Sequence, residues 1–284
     1  MSLATKCMLV DVSIGMWEGR KLDKLASEKT TTEANAKAGT ARVTKRIVPD
    51  EAFKAIVTAR NALKAHRDAH TLPWKDNGER ILMRNMYDRF MSEYGVLAAN
   101  FETAVREFVD EIYPPARESA AFNMGKLFNP DDYPHPDDLR HRFYVRLTIE
   151  PVPEANDFRV ALDATEVAGI KAQMEEAMNQ RLAVAMKDVY IQLADVLDHY
   201  VKKMADSKAI FRDSTVNNLT DLIDRLPGLN ITGDPTLKAI RRRLQETLYG
   251  VEPDQLRKDE DTRAKAAAEA QDILDEMRGY LNAA

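Results

Sequence analysis

Residues 163–205 read DATEVAGIKAQMEEAMNQRLAVAMKDVYIQLADVLDHYVKKMA. Val167, Ile170, Met174, Met178, Leu182, Met186, Val189, Leu193, Val196 and Tyr200 recur every three or four positions, the spacing that lines side chains along one face of a helix. Asp163 with Glu166 three residues later makes a capping-box start, and beyond Gly169 neither Gly nor Pro interrupts the run. The pattern predicts one unbroken helix, roughly 60 Å long at about 1.5 Å per residue. A helix of that length cannot cover its own apolar stripe, so it must pack on other helices, within the chain or between copies.

The remainder of the chain supplies partners. Residues 215–226 and 235–249 read as shorter helices, the second with Asp234 at its cap and Pro235 in its first turn. Residues 252–281 read as one Ala- and charge-rich helix whose sparse apolar side is Leu256, Ile273, Leu274, Met277 and Leu281. It is expected to fold back antiparallel along the long helix. The predicted helix or oligomer seam is Ile170, Met174, Met178, Leu182, Met186, Val189, Leu193, Val196 and Tyr200. Its methionines suit an irregular packing seam rather than a binding groove.

Before residue 163 the texture is mixed. Residues 7–16 alternate, with Met8, Val10, Val12 and Ile14 on one side and Leu9 as the misfit, which predicts a strand. A short helix with Leu22, Leu25 and Ala26 is expected next, then a polar loop over residues 27–40 and a basic strand over 41–48. Pro49-Asp50 opens a helix carrying Phe53, Ile56, Val57, Ala59 and Leu63. Asp76-Asn77-Gly78 between two apolar patches predicts a hairpin or ordered loop over residues 70–83. Residues 85–113 predict a long amphipathic helix closed by Pro114-Pro115, and residues 116–127 a second helix. The run NPDDYPHPDD at 129–138 is expected to lack regular structure. Residues 142–149 read as a strand and 157–160 as its brief partner. The fold class expected is mainly α with a small β portion (α+β): long antiparallel helices in the C-terminal half and a small mixed sheet from N-terminal and central strands. The domain division expected is 1–162 and 163–284.

In 284 residues, 44% hydrophobic and 31% charged content with 11 Gly and 12 Pro describes a globular, helix-leaning chain. A single cysteine, Cys7, cannot close an intramolecular disulfide, which points to a reducing compartment. The first residues lack a cleavable leader pattern and no apolar run reaches membrane-spanning length, so the expectation is a cytoplasmic protein that avoids membranes. The net charge of −5 conceals an asymmetry. Residues 1–67 carry 13 basic against 7 acidic side chains, +6, and the remainder 28 against 39, −11. A polyanion would be met by the N-terminal quarter.

The candidate nucleic-acid residues are Arg20, Lys21 and Lys24, expected on one helix, and Arg42, Lys45 and Arg46, expected on one strand, with Trp17 as a stacking platform for a single-stranded base. A solvated basic surface, or one that docks on the acidic half of a neighbouring subunit, is the favoured reading. His66 and His70 stand four apart, the spacing that lets two imidazoles on one helix share a metal. No Glu follows His66 and no third ligand is evident, so packing or exposed histidines are favoured and no metal or other cofactor is expected. Asp131, Asp132, Asp137 and Asp138 lack the alternation and central glycine of a calcium loop and read as a solvated linker. Cys7, in an apolar strand pattern, reads as an inert small hydrophobe. No phosphate-binding glycine loop or nucleophile-elbow motif occurs, and no catalytic residue is nominated.

Leu72-Pro73-Trp74 with Asp76 and Gly78, Phe128-Asn129-Pro130-Asp131-Asp132-Tyr133-Pro134, Val152-Pro153 and Phe158-Arg159-Val160 form a pattern across most of the chain, roughly residues 5–250. In these motifs the chain resembles an uncharacterised family of bacteriophage and prophage proteins of unknown function. Members of that family are often encoded near MoxR-type AAA+ ATPases and cobaltochelatase-like proteins with a von Willebrand A domain. The resemblance implies an accessory or adaptor role in a bacterial host cell, with an AAA+ ATPase as partner, and carries over no catalytic residue. Two functions are therefore expected in order: a non-enzymatic, self-associating scaffold or adaptor, and a single-stranded-DNA-binding recombination or replication accessory.

Overall fold

The computed structural model describes residues 2–76, 78–154, 164–205, 211–247 and 251–283, with side chains to residue 278 in the last stretch. Helix makes up 69% and strand 12%, so helices carry most of the core. In chain order the elements are β1 (Cys7–Gly15), β2 (Arg20–Asp23), α1 (Lys24–Glu33), β3 (Val43–Arg46), α2 (Lys54–His70), β4 (Leu72–Pro73), β5 (Arg80–Met83), α3 (Tyr87–Glu107), α4 (Tyr113–Met124), α5 (Pro136–Arg140), β6 (Tyr144–Pro151), α6 (Ala164–Ala205), α7 (Asp213–Leu229), α8 (Pro235–Thr247), α9 (Pro253–Lys258) and α10 (Glu260–Ala283). The chain forms two compact units that do not follow the expected division at residue 162: one holds residues 1–11, 68–88 and 148–284, the other 12–67 and 89–147.

In the first unit α6 runs unbroken for 42 residues, as the periodicity predicts; its expected cap, Asp163, lies outside the described residues. α10 lies antiparallel to it: Arg263 near the start of α10 donates from Nε to the Met204 carbonyl at 3.0 Å, and Arg278 further along pairs with Asp198 at 3.3 Å. Ala185, Val189, Leu193, Leu197 and Tyr200 of α6 are buried in one cluster with Leu219, Leu222, Ile223, Leu237, Ile240, Leu244, Ile273 and Met277 from α7, α8 and α10. Cys7, Leu9, Leu72, Trp74 and Ile81 belong to the same cluster. That explains the unit boundaries, because the first strand and the central hairpin bury their apolar side chains with the C-terminal helices. Leu9, the misfit of the alternation, is 2% exposed, whereas Met8 is half-buried.

The sheet order is β4-β5-β1-β6, with Cys7 opposite Met83, Val10 opposite Arg80, and Leu72 opposite Ile81. The sheet is antiparallel, which corrects the mixed sheet expected. β4 and β5 are joined by a short turn, and a parallel pair would need a crossover of a dozen or more residues. Gly78 turns this hairpin at φ +97, a conformation that side chains resist; Asn77 and the strand expected at 157–160 lie outside the described residues. The final helix divides at Asp259, whose carboxylate accepts from the amides of Asp261 (3.0 Å) and Thr262 (3.3 Å) and so starts α10 afresh.

In the second unit, β2 and β3 pair antiparallel, Arg20 opposite Arg46 and Asp23 opposite Val43. Arg20 and Lys21 thus lie on a strand rather than a helix, and only Lys24 is helical. α1 occupies half of the expected loop. Asp23 caps it by accepting from Ala26 N at 2.9 Å, and the hydroxyls of Thr30, Thr31 and Thr32 donate to carbonyls four residues back, so polar side chains are satisfied inside the helix. Pro114 and Pro115 do not end the long helix. A π-helical turn over Phe108–Ile112 leads into α4, where two prolines occupy the first turn and need no amide donor. The 129–138 run holds a 3-10 turn, Pro130–Asp132, and the start of the short helix α5, both using proline in the first turn. Phe53, Phe108, Tyr113 and Phe143 centre this core, with Phe53 and Phe108 rings 4.8 Å apart.

Leu193, fully buried, and Ile170, half-buried, test the two ends of α6. Leu193→Ala is expected to cost about 2–5 kcal/mol of unfolding free energy, and Ile170→Ala less than about 1 kcal/mol, both read from urea denaturation monitored by circular dichroism.

Candidate functional site

The seam predicted along α6 divides into two parts. From Ala185 onward it is inside the core, with Met186, Val189, Leu193 and Tyr200 buried and Val196 half-buried. Ahead of it Val167, Ile170, Met174, Met178 and Leu182 are half-buried. Met174 and Met178 line an open groove of about 760 Å3 together with Leu3, Val152, Glu175 and Arg181. The Arg181 guanidinium stands 6.0 Å from the centre of the Trp74 ring. On another side of α6, Val184 is 59% exposed.

The basic residues of the N-terminal quarter come together on the β2–β3 pair, where carboxylates meet most of them. Asp50 pairs with Arg46 at 2.8 Å and Arg20 at 3.6 Å. Lys45 reaches Asp132 at 2.6 Å, Asp23 at 3.5 Å and the Leu127 carbonyl at 3.0 Å, and Lys21 stands 4.0 Å from Asp132. Burial alone would lower the Lys45 pKa, but the Asp132 and Asp23 carboxylates outweigh it and hold the ammonium above its ordinary value. A DNA phosphate would have to compete with these carboxylates for the cations. Among the described residues Lys24 and Arg42 form no ion pair; with Ser27, Glu28 and Thr31 they line an open groove of about 570 Å3. Trp17 is committed to packing, edge-on to Phe53 at 6.0 Å and Tyr113 at 5.8 Å between ring centres.

Asp132 of the 129–138 run is likewise engaged. Asp132 holds Lys45, and the Asn129 side chain accepts from Asp131 N at 3.0 Å. Cys7 is buried, and that burial pushes its thiol up to about 11, the condition of an inert hydrophobe.

The two histidines are buried, His66 7% and His70 5% exposed, one turn apart on α2. The His66 ring stacks on Phe90 of α3 with centroids 4.9 Å apart, and its Nε2 lies 3.1 Å from the Phe90 carbonyl. Its Nδ1 lies 3.2 Å from Oε2 of Glu93, whose Oε1 accepts from Arg89 Nε at 3.0 Å. Burial lowers the His66 pKa despite the Phe90 and Glu93 contacts. Glu93 is the neighbour of His66 that spacing analysis did not find. Glu93 stands on a different helix, so no local sequence signal connects it to the pair.

Among the described residues no helix is long and apolar enough to cross a membrane. The local chemistry has two measurable outcomes. The Asp23 carboxyl, held down first by the Ala26 amide and also by Lys45, is expected to titrate below its ordinary 3.8 in a carbon-detected NMR titration. Because its folded pKa is depressed, its contribution to stability is present above the unfolded value and fades as pH falls through the folded one. Cys7 is expected to resist alkylation at neutral pH in the native chain and to react once the chain is unfolded in urea, as read by mass spectrometry. In comparisons with known proteins, no family model matches this chain, and no curated protein or solved structure matches it.

Proposed function

We propose that the chain is a non-enzymatic, self-associating scaffold or adaptor whose contact surface is the first half of α6. The supporting observation is that, among the described residues, the apolar seam of α6 is fully buried only from Ala185 onward. With Arg263 beside Met204, the rest of α10 extends about 30 Å back along α6 at about 1.5 Å per residue. That reaches the neighbourhood of Ala185, where full burial of the seam begins. Val167, Ile170, Met174 and Met178 continue the same stripe for several further turns while only half-buried. A second copy of the helix is a surface of matching chemistry, and methionine adapts to such a seam. The family resemblance adds an AAA+ ATPase of the MoxR type as the partner that the assembly would serve, in a phage or prophage setting.

The DNA-binding alternative ranks below this reading, because Arg20, Arg46 and Lys45 are engaged by Asp50, Asp23 and Asp132. Light scattering on the full chain decides the first reading. The wild type is expected at a multiple of 32.1 kDa at micromolar concentration, and Met174→Glu with Met178→Glu at one chain mass with an unchanged helical spectrum. A monomeric wild type, or a double variant that assembles as before, would overturn it.

A further inference from the structure

We propose that the pocket between the end of α7 and the first half of α8 binds a small organic carboxylate, one anionic head on a short apolar body. The pocket measures about 280 Å3 and is lined by Leu226, Pro227, Asn230, Leu237, Lys238 and Arg241, all within the first unit. Its two cations carry the proposal. α8 holds four basic side chains, Lys238, Arg241, Arg242 and Arg243, and they divide by face. Arg243 pairs with Glu269 at 2.6 Å and Glu276 at 3.0 Å, and Arg242 with Glu246 at 2.8 Å. Among the described residues Lys238 and Arg241 form no ion pair, and both line the pocket.

Arg241 is held in place by a gap in the neighbouring helix. Pro227 lies inside α7 and has no N–H, so the Ile223 carbonyl four residues earlier lacks its usual helical donor. Arg241 Nε supplies one, donating to that oxygen at 3.2 Å. With the guanidinium anchored through Nε, its two terminal nitrogens remain as parallel donors at the spacing of two carboxylate oxygens. Lys238, three residues earlier on the same face of α8, adds the second positive charge. Its ammonium lies over the turn at Gly233, where a β-carbon would stand 3.7 Å from Nζ. The buried Asn230 braces that turn, donating from Nδ2 to the Asp234 carbonyl at 2.9 Å and accepting from Asp234 N at 2.7 Å. The Asp234 carboxylate is itself taken up by the Tyr190 hydroxyl at 2.7 Å and the Thr236 amide at 2.8 Å.

The rest of the lining selects among anions. Leu226, Pro227 and Leu237 offer hydrocarbon, and the Asn230 amide is spent on Asp234, so no lining side chain is left to donate to a third oxygen. A phosphate would hold oxygens against apolar walls with hydrogen bonds unmade. A carboxylate is satisfied by the Arg241 fork and the Lys238 ammonium, and a short aliphatic chain behind it covers the apolar walls. A mostly apolar pocket with a few placed polar groups is the ordinary composition of a small-ligand site.

The test titrates the full chain with sodium hexanoate by saturation-transfer NMR, with acetate and inorganic phosphate as competitors. Hexanoate is expected to bind saturably and to lose at least about tenfold in affinity in Lys238→Gln. Acetate, which lacks the apolar body, is expected to displace it only at higher concentration. Arg241→Lys keeps the charge without the fork and is expected to weaken hexanoate as well. Lys238 is exposed, so its variant decides the matter even if the Arg241 variant, having lost the bond to Ile223, fails to fold. Absence of saturable hexanoate binding to the folded wild type, equal binding in either folded variant, or displacement by inorganic phosphate at lower concentration than by acetate would each overturn the assignment.

Discussion

Burial of the second half of α6 against α10, α7 and α8 is the interaction on which the first unit depends. A helix of 42 residues has far more apolar stripe than its own backbone hydrogen bonds can shield, and helix propensity alone does not hold such an element in place. Leu193, Leu197 and Tyr200, each at or below 1% exposed, anchor it; a fully buried side chain of this kind contributes about 1.5–3 kcal/mol. The buried Arg263 of α10 donates to the carbonyls of Met204 and Lys203 in the last described turn of α6. That arginine ties α10 to α6, and the hairpin of β4 and β5 adds Leu72, Trp74 and Ile81 to the same core.

Electrostatics organise the second unit in a different way. Its basic side chains look like a polyanion surface when counted along the chain, yet Lys45 is only 9% exposed and sits between carboxylates from β2 and from the turn at Pro130–Asp132. Each charge removed from water this way needs its partner, because an unpaired buried ion is far more costly than the pair. The cluster therefore serves to join three segments distant in sequence. Charge asymmetry along the chain pointed to these residues and carried no sign of the carboxylates that meet them.

The histidine pair shows the same limit in another form. Spacing of four residues on a helix was visible, and it allowed a shared metal or nothing at all. What spacing left out is the setting of His66: a carboxylate on α3, a buried ring and a carbonyl beside Nε2. All three are products of helix packing.

The long helix, the two shorter helices after it, the central hairpin and the mainly helical class were legible in the residues alone, because each rests on periodicity or on turn chemistry within a few residues. Even there, local competition decided details that composition obscured: Asp23 and back-bonding threonines made a helix of an expected loop, and Asp259 split one helix into two. Tertiary packing was needed to decide that strand β1 and residues 68–88 join the C-terminal helices, that Lys45 is neutralised, and that Glu93 meets His66. The physical reason is that burial and ion pairing act between residues close in space, whatever their separation along the chain, and local patterning carries no record of which distant side chain will fill the remaining place.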